Sequence, residues 1–217
     1  MNGDFVLVAG NTDSLSNVSE HAVFGDRAEA IRLPPHCRQD FFRVQGGPLR
    51  LERHFFEANG VKLSYLDFGG PSTRTLVALH GHFGTATTFA DLARGLPEWR
   101  VVALDQRGHG WSDHVAEEAY GRDNYVQDLQ IFIEAELGGS PVVLLGHSLG
   151  GVNAYQLAAR KPALVRAMII EDIGAEIHDD QSWLKKLPSR VPTLRELQQT
   201  LENLLRPGAF SYFGDWV

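Results

Sequence analysis

The chain has 217 residues, 43% of them hydrophobic, 22% charged and 10% aromatic, which excludes an intrinsically disordered chain, a collagen-like repeat and a coiled coil. Twenty basic residues against 27 acidic ones give a net charge of −7, so nucleic-acid binding has no bulk electrostatic support, and no Lys/Arg run supplies it locally. The lone cysteine, Cys37, excludes an internal disulfide and leaves too few thiols for a cysteine-based metal site.

Residues 1–50 show no clean periodicity, and Pro34-Pro35 and Gly46-Gly47-Pro48 are loop signals, so this stretch reads as an N-terminal extension. Phe5 to Gly10 is apolar but short and follows Asp4 rather than a basic residue, which does not support a signal peptide. No apolar run approaches the ~20 residues that span a bilayer. The expectation is a cytoplasmic protein.

Regular structure is predicted from Leu51 onward. Residues 53–57 and 61–66 read as a hairpin around Asn59-Gly60. Leu76 to His80 is a short apolar run suited to a strand buried on both faces. A helix is predicted over 88–96 and a strand over 99–105. In 124–137 Val126, Leu129, Ile133 and Leu137 fall on one helical face, with Asp123 placed to cap the start. A buried strand over 141–146, a helix over 151–161 stopped by Pro162, and a strand over 165–171 follow. Strands alternating with helices imply a mostly parallel sheet of five or six strands covered on both faces. Beyond Asp172, Thr193 and Glu196 form a capping box for a helix whose leucines 194, 197, 201 and 204 share a face. The aromatic C-terminus, with Phe210, Tyr212, Phe213 and Trp216, needs something to pack against.

The chemistry concentrates where strands end. Gly146-His147-Ser148-Leu149-Gly150-Gly151 lies between a buried strand and a helix, the setting of a Gly-x-Ser-x-Gly nucleophile elbow. Such a turn holds its serine in a strained conformation and lifts the hydroxyl clear of the sheet. Side chains two residues to either side would collide, so both places are glycine. The helix N-terminus beside it helps to stabilise negative charge. Acyl transfer also needs two backbone N–H donors aimed at a developing oxyanion. Leu149 is the first candidate. His82, in the loop His80-Gly81-His82-Phe83-Gly84 after an earlier strand, is the second. His80 and His82 as a metal pair is a poor reading, because no carboxylate clusters with them. In Asp105 to Asp113, His109 and Asp113 are expected to fix a glycine-rich turn.

These three segments, in this order and spacing, resemble the α/β-hydrolase fold superfamily, in particular its serine esterase- and lipase-like members, over about residues 52–217. Residues 169–176 are similar to the strand that leads into the helical cap of those members. The resemblance implies a mostly parallel α/β sheet flanked by helices: a core over 51–177, the start of a helical cap over 178–217, and C-terminal strands of the fold absent. It implies hydrolysis of a carboxylic ester or related acyl bond through an acyl-enzyme on Ser148. Phe83 and His147 would line the substrate cleft, with no metal or organic cofactor. A serine at the elbow differs from the aspartate of haloalkane dehalogenases and epoxide hydrolases. A carbon–carbon bond hydrolase and a non-catalytic ligand-binding relative are the alternatives.

In this family an Asp or Glu and then a His follow the serine along the chain. Asp172, just past a strand end, is the candidate acid; a turn aspartate at the entry to the cap is the competing reading. His178 is the one histidine after Ser148, and it stands where the cap would begin rather than after a final strand. The chain therefore reads either as the N-terminal part of a hydrolase, weak or inactive alone, or as a short hydrolase whose base is rearranged or supplied by a second chain. The partners expected are a small ester-like molecule and, through an uncovered sheet edge and the aromatic C-terminus, a second copy of the chain.

Overall fold

The computed structural model describes residues 9–10, 51–174, 186, 188 and 191–204. Contacts divide the chain into two units, Met1–Gly174 and Ala175–Val217.

The first unit is built on one sheet. Its strands are β1 (Ala9–Gly10), β2 (Glu52–Ala58), β3 (Val61–Asp67), β4 (Thr75–Leu79), β5 (Arg100–Asp105), β6 (Val142–His147) and β7 (Val165–Glu171). Its helices are α1 (Ala90–Gly95), α2 (Arg122–Glu136) and α3 (Leu149–Arg160). The spatial order is β1-β7-β6-β4-β5-β3-β2. β2 and β3 form an antiparallel hairpin, and β3 joins β5 antiparallel. All the other pairs are parallel. Asn59 (φ 53°) and Gly60 (φ 76°) turn the hairpin as the Asn-Gly pair predicts.

Strand alternation sorts the apolar residues into two cores. Val77, Leu79, Val102, Leu104 and Leu144 point to one face, against Val126, Leu129, Phe132 and Ile133 of α2 and Leu157 of α3. Their neighbours Leu76, Ala78, Val101, Ala103, Val143 and Leu145 point to the other, against Ala86, Phe89 and Ala93. The central strands are buried on both faces, as their unbroken apolar runs require.

Three details differ from the sequence reading. Ala9 and Gly10, within the stretch read as an extension, pair parallel with Ile170 and Glu171 and add a seventh strand. The helix expected over 88–96 begins as a 3-10 turn, Ala86–Phe89, before α1. α2 starts earlier than expected, with Gly121 at its N-cap and no side-chain cap; Asp123 instead pairs with Arg160 at 2.8 Å.

In the second unit, α4 (Leu194–Leu204) is capped as predicted: Thr193 Oγ1 accepts the Glu196 N–H at 3.2 Å and lies 3.2 Å from Glu196 Oε1. His178 and the C-terminal aromatics lie outside the described residues.

Candidate active site

β6 runs directly into α3, and Ser148 is the single residue between them. Its backbone sits at φ 48°, ψ −111°, a region that costs an L-residue on the order of 1–3 kcal/mol. The surroundings impose it. The Ser148 N–H donates to Glu171 O at 2.9 Å, and Ser148 O accepts from Val152 N at 3.1 Å. A Cβ at Gly146 would lie 2.5 Å from Gly150 O, and one at Gly150 would lie 2.2 Å from Leu79 O. The chain can therefore bend this sharply only with glycine on both sides of the serine.

The Gly150 N–H is already engaged, by His80 O at 3.2 Å. The N–H of Leu149, at the first helical position, has no partner inside the helix.

The second loop follows β4. His80 is fully buried. Its Nε2 accepts the Gln106 N–H at 3.1 Å, so Nδ1 carries the proton and donates to Gly81 O at 2.7 Å. Burial first, and then the neighbouring His109, push its pKa down to about 3. This imidazole is neutral with both nitrogens occupied, and it serves the architecture. The Gly84 N–H closes onto Gly81 O at 3.0 Å, which leaves His82 and Phe83 at the tip of a tight turn. His82 is exposed and Phe83 half-buried. His109 Nε2 lies 2.9 Å from His82 O and Nδ1 lies 3.0 Å from Arg107 O, so His109 fixes loop backbone as expected.

His147 occupies the gap between the two loops. A Cβ at Gly81 would come within 2.7 Å of His147 Nδ1 and 3.3 Å of Ser148 Cβ, so the loop backbone passes directly over the elbow. On its other side His147 Nε2 is 3.7 Å from Asp172 Oδ2. Asp172, just past β7, adopts φ 55°, and its side chain is half-exposed. The structure thus gathers Ser148, Leu149, His147, Asp172 and the turn carrying His82 and Phe83 at the carboxyl ends of β4, β6 and β7.

Asp105 anchors the outer side of the same loops. Fully buried, it accepts hydrogen bonds from Arg53 Nη1 (2.5 Å), Ser64 Oγ (2.6 Å) and the backbone N–H groups of Ala86 (2.6 Å) and Trp111 (3.2 Å). Asp113 secures the far end of its turn: its N–H donates to Lys62 O at 2.9 Å, and its O accepts from Gly108 N at 2.9 Å. Among the described residues no group of three His, Cys, Asp or Glu is placed to hold a metal ion.

A chain of polar side chains escaped the sequence reading. Gln106 Nε2 donates to His80 O at 2.7 Å, Asn153 Nδ2 donates to Gln106 Oε1 at 2.6 Å, and Arg122 Nη1 donates to Asn153 Oδ1. The one available signal was Asn153, an amide flanked by Val152 and Ala154 in α3.

The chain belongs to the alpha/beta hydrolase fold family, whose model matches residues 74–211. Mouse sn-1-specific diacylglycerol lipase ABHD11 is 39% identical over 116 residues, 52% of this chain and 37% of that protein. Mouse epoxide hydrolase 4 is 32% identical over 114 residues, 52% of this chain and 32% of that protein. The crystal structure of an alpha/beta hydrolase from Novosphingobium aromaticivorans superposes with a TM-score of 0.60 at 29% identity, over 72% of this chain and 57% of that one. The chain thus spans about a third of these two relatives' length. No helix among the described residues is long and apolar enough to cross a membrane.

Proposed function

We propose that this chain carries the nucleophile half of a serine hydrolase acting on a carboxylic ester or related acyl bond of a small molecule. The observation that carries the reading is the backbone of Ser148 at φ 48°, ψ −111°, held between β6 and α3 where only glycines fit beside it. Strain of this kind is retained where it aims a reacting atom.

Ser148 Oγ attacks the acyl carbon and gives up its proton to a base. The carbonyl oxygen becomes an oxyanion, received by the N–H groups of Leu149 and His82. Collapse expels the alcohol with a proton and leaves an ester on Ser148, which water then cleaves. Asp172 is the acid that would orient the base. Two of the described histidines are unsuited to be that base: His80 has both ring nitrogens engaged, and His109 faces backbone carbonyls. Phe83 and His147 line the acyl cleft. The two mouse relatives carry different printed activities, so membership of the family leaves the substrate to the residues of the site.

The test is labelling of the full chain with a fluorophosphonate probe. A single label on Ser148, lost in Ser148→Ala, is expected. A folded, monodisperse protein that takes no label counts against the reading and leaves an inactive fragment or a non-catalytic binding relative. Asp172→Asn preserves size and tolerates positive φ. If Asp172 is the acid, this variant labels at least tenfold more slowly with unchanged stability. Unchanged labelling identifies Asp172 as a turn residue.

A further inference from the structure

Arg122 opens α2, and its guanidinium is half-buried. Burying part of a cation is costly unless an anion accompanies it. Here none does among the described residues. Asp123 pairs with Arg160, Asp128 with Arg107 and Asp105 with Arg53, and neither Glu117 nor Glu118 reaches Arg122. The one hydrogen bond of its guanidinium among the described residues goes to the neutral Asn153 side chain. Loss of solvent accordingly lowers its pKa.

The position is not accidental. Asn153 is 1% exposed and Gln106 3%, and together they tie Arg122 to the carbonyl of His80, the root of the turn that carries His82. Asn153 lies five residues after Ser148 on α3, about 7.5 Å along the helix axis, and the Arg122 charge is near enough to His82 to help lower the pKa of that imidazole, after burial and His109. An arginine held by Asn153 beside the turn that carries His82, with guanidinium donors that no described residue uses, suits a carboxylate.

We infer that Arg122 receives a carboxylate carried on the acyl part of the substrate, so that the preferred substrates are monoesters of dicarboxylic acids rather than neutral esters. This rests on the reading of Ser148 as nucleophile and sharpens it from an ester-like substrate to an anionic one. The carboxylate accepts from the guanidinium donors that Asn153 does not use, and the acyl carbon then reaches Ser148 through a chain of a few methylenes.

The test is calorimetric titration of the full 217-residue chain with monomethyl adipate and with dimethyl adipate, in the wild type, Arg122→Gln and Arg122→Lys. The hemi-ester is expected to bind the wild type at least tenfold more tightly than the diester. The ratio should fall below twofold in Arg122→Gln and stay intermediate in Arg122→Lys, which keeps the charge without the planar fork. Circular dichroism confirms that the variants fold. A wild type that does not discriminate or does not bind the hemi-ester, or an Arg122→Gln variant that discriminates as well as wild type, overturns the inference. Titration needs no reactive serine. A chain that discriminates but resists fluorophosphonate sinks the nucleophile reading alone, and one that labels at Ser148 without discriminating sinks the role of Arg122 alone.

Discussion

His80 has no room for a second proton. Its folded pKa of about 3 lies below the ordinary 6.5, so between those values the unfolded chain binds a proton that the native state refuses. Stability is therefore fully present above pH 6.5 and is lost as pH falls toward 3, by up to about 1.4 kcal/mol for each pH unit from this group. Urea unfolding between pH 7.5 and pH 4.5 reads that slope, and a flat profile would contradict the buried neutral imidazole. Gly150 is as tightly confined, by backbone alone: Gly150→Ala drives a methyl toward Leu79 O, which cannot yield. We expect a loss of about 2–4 kcal/mol in the same assay. At this scale the sequence was legible where chemistry and sterics coincide. Ser148 and its glycines are readable because a sharp turn admits few residue types. Gln106, Asn153 and Arg122 were not, because their meaning comes from one another across separate elements.

Single elements were read well wherever packing and periodicity agree. The apolar runs of β4, β5 and β6 alternate between two cores, and either face alone would have marked them as strands. Ends fared worse. Asp123 looked like a cap for α2, yet its carboxylate found Arg160 of α3, an ion pair that no local pattern encodes. The same helix is fastened from within by Arg107, whose Nε and Nη2 each meet a different oxygen of Asp128 at 2.7 Å, both residues being 2% exposed. Asp128→Ala strands a buried guanidinium and should cost about 3–5 kcal/mol. The double variant Arg107→Met/Asp128→Leu should lose clearly less than the two single losses combined, and a strictly additive cycle would show that the pair does not act as a unit.

For the whole molecule, family resemblance supplied what periodicity lacks. Nothing local says that β4 lies between β5 and β6, since strand order arises from crossovers. Nor did anything mark Ala9 and Gly10, because a two-residue strand carries no alternation to detect. That short strand covers part of the outer edge of β7, beside Ile170 and Glu171. We propose that this edge is where copies of the chain associate when it is bare. Deleting residues 1–10 should therefore shift the protein toward oligomers in light scattering, and a variant as monodisperse as the parent would refute this. One last consequence follows from the carbonyl of His80, which joins Gln106 to the first turn of α3. The exposed stretch around Ala116 separates the turn bearing His82, together with Gln106, from Ser148, Asn153 and Arg122. Two fragments cut there would each hold an incomplete centre, so probe uptake at the serine would report their reassembly, in the manner of a split reporter.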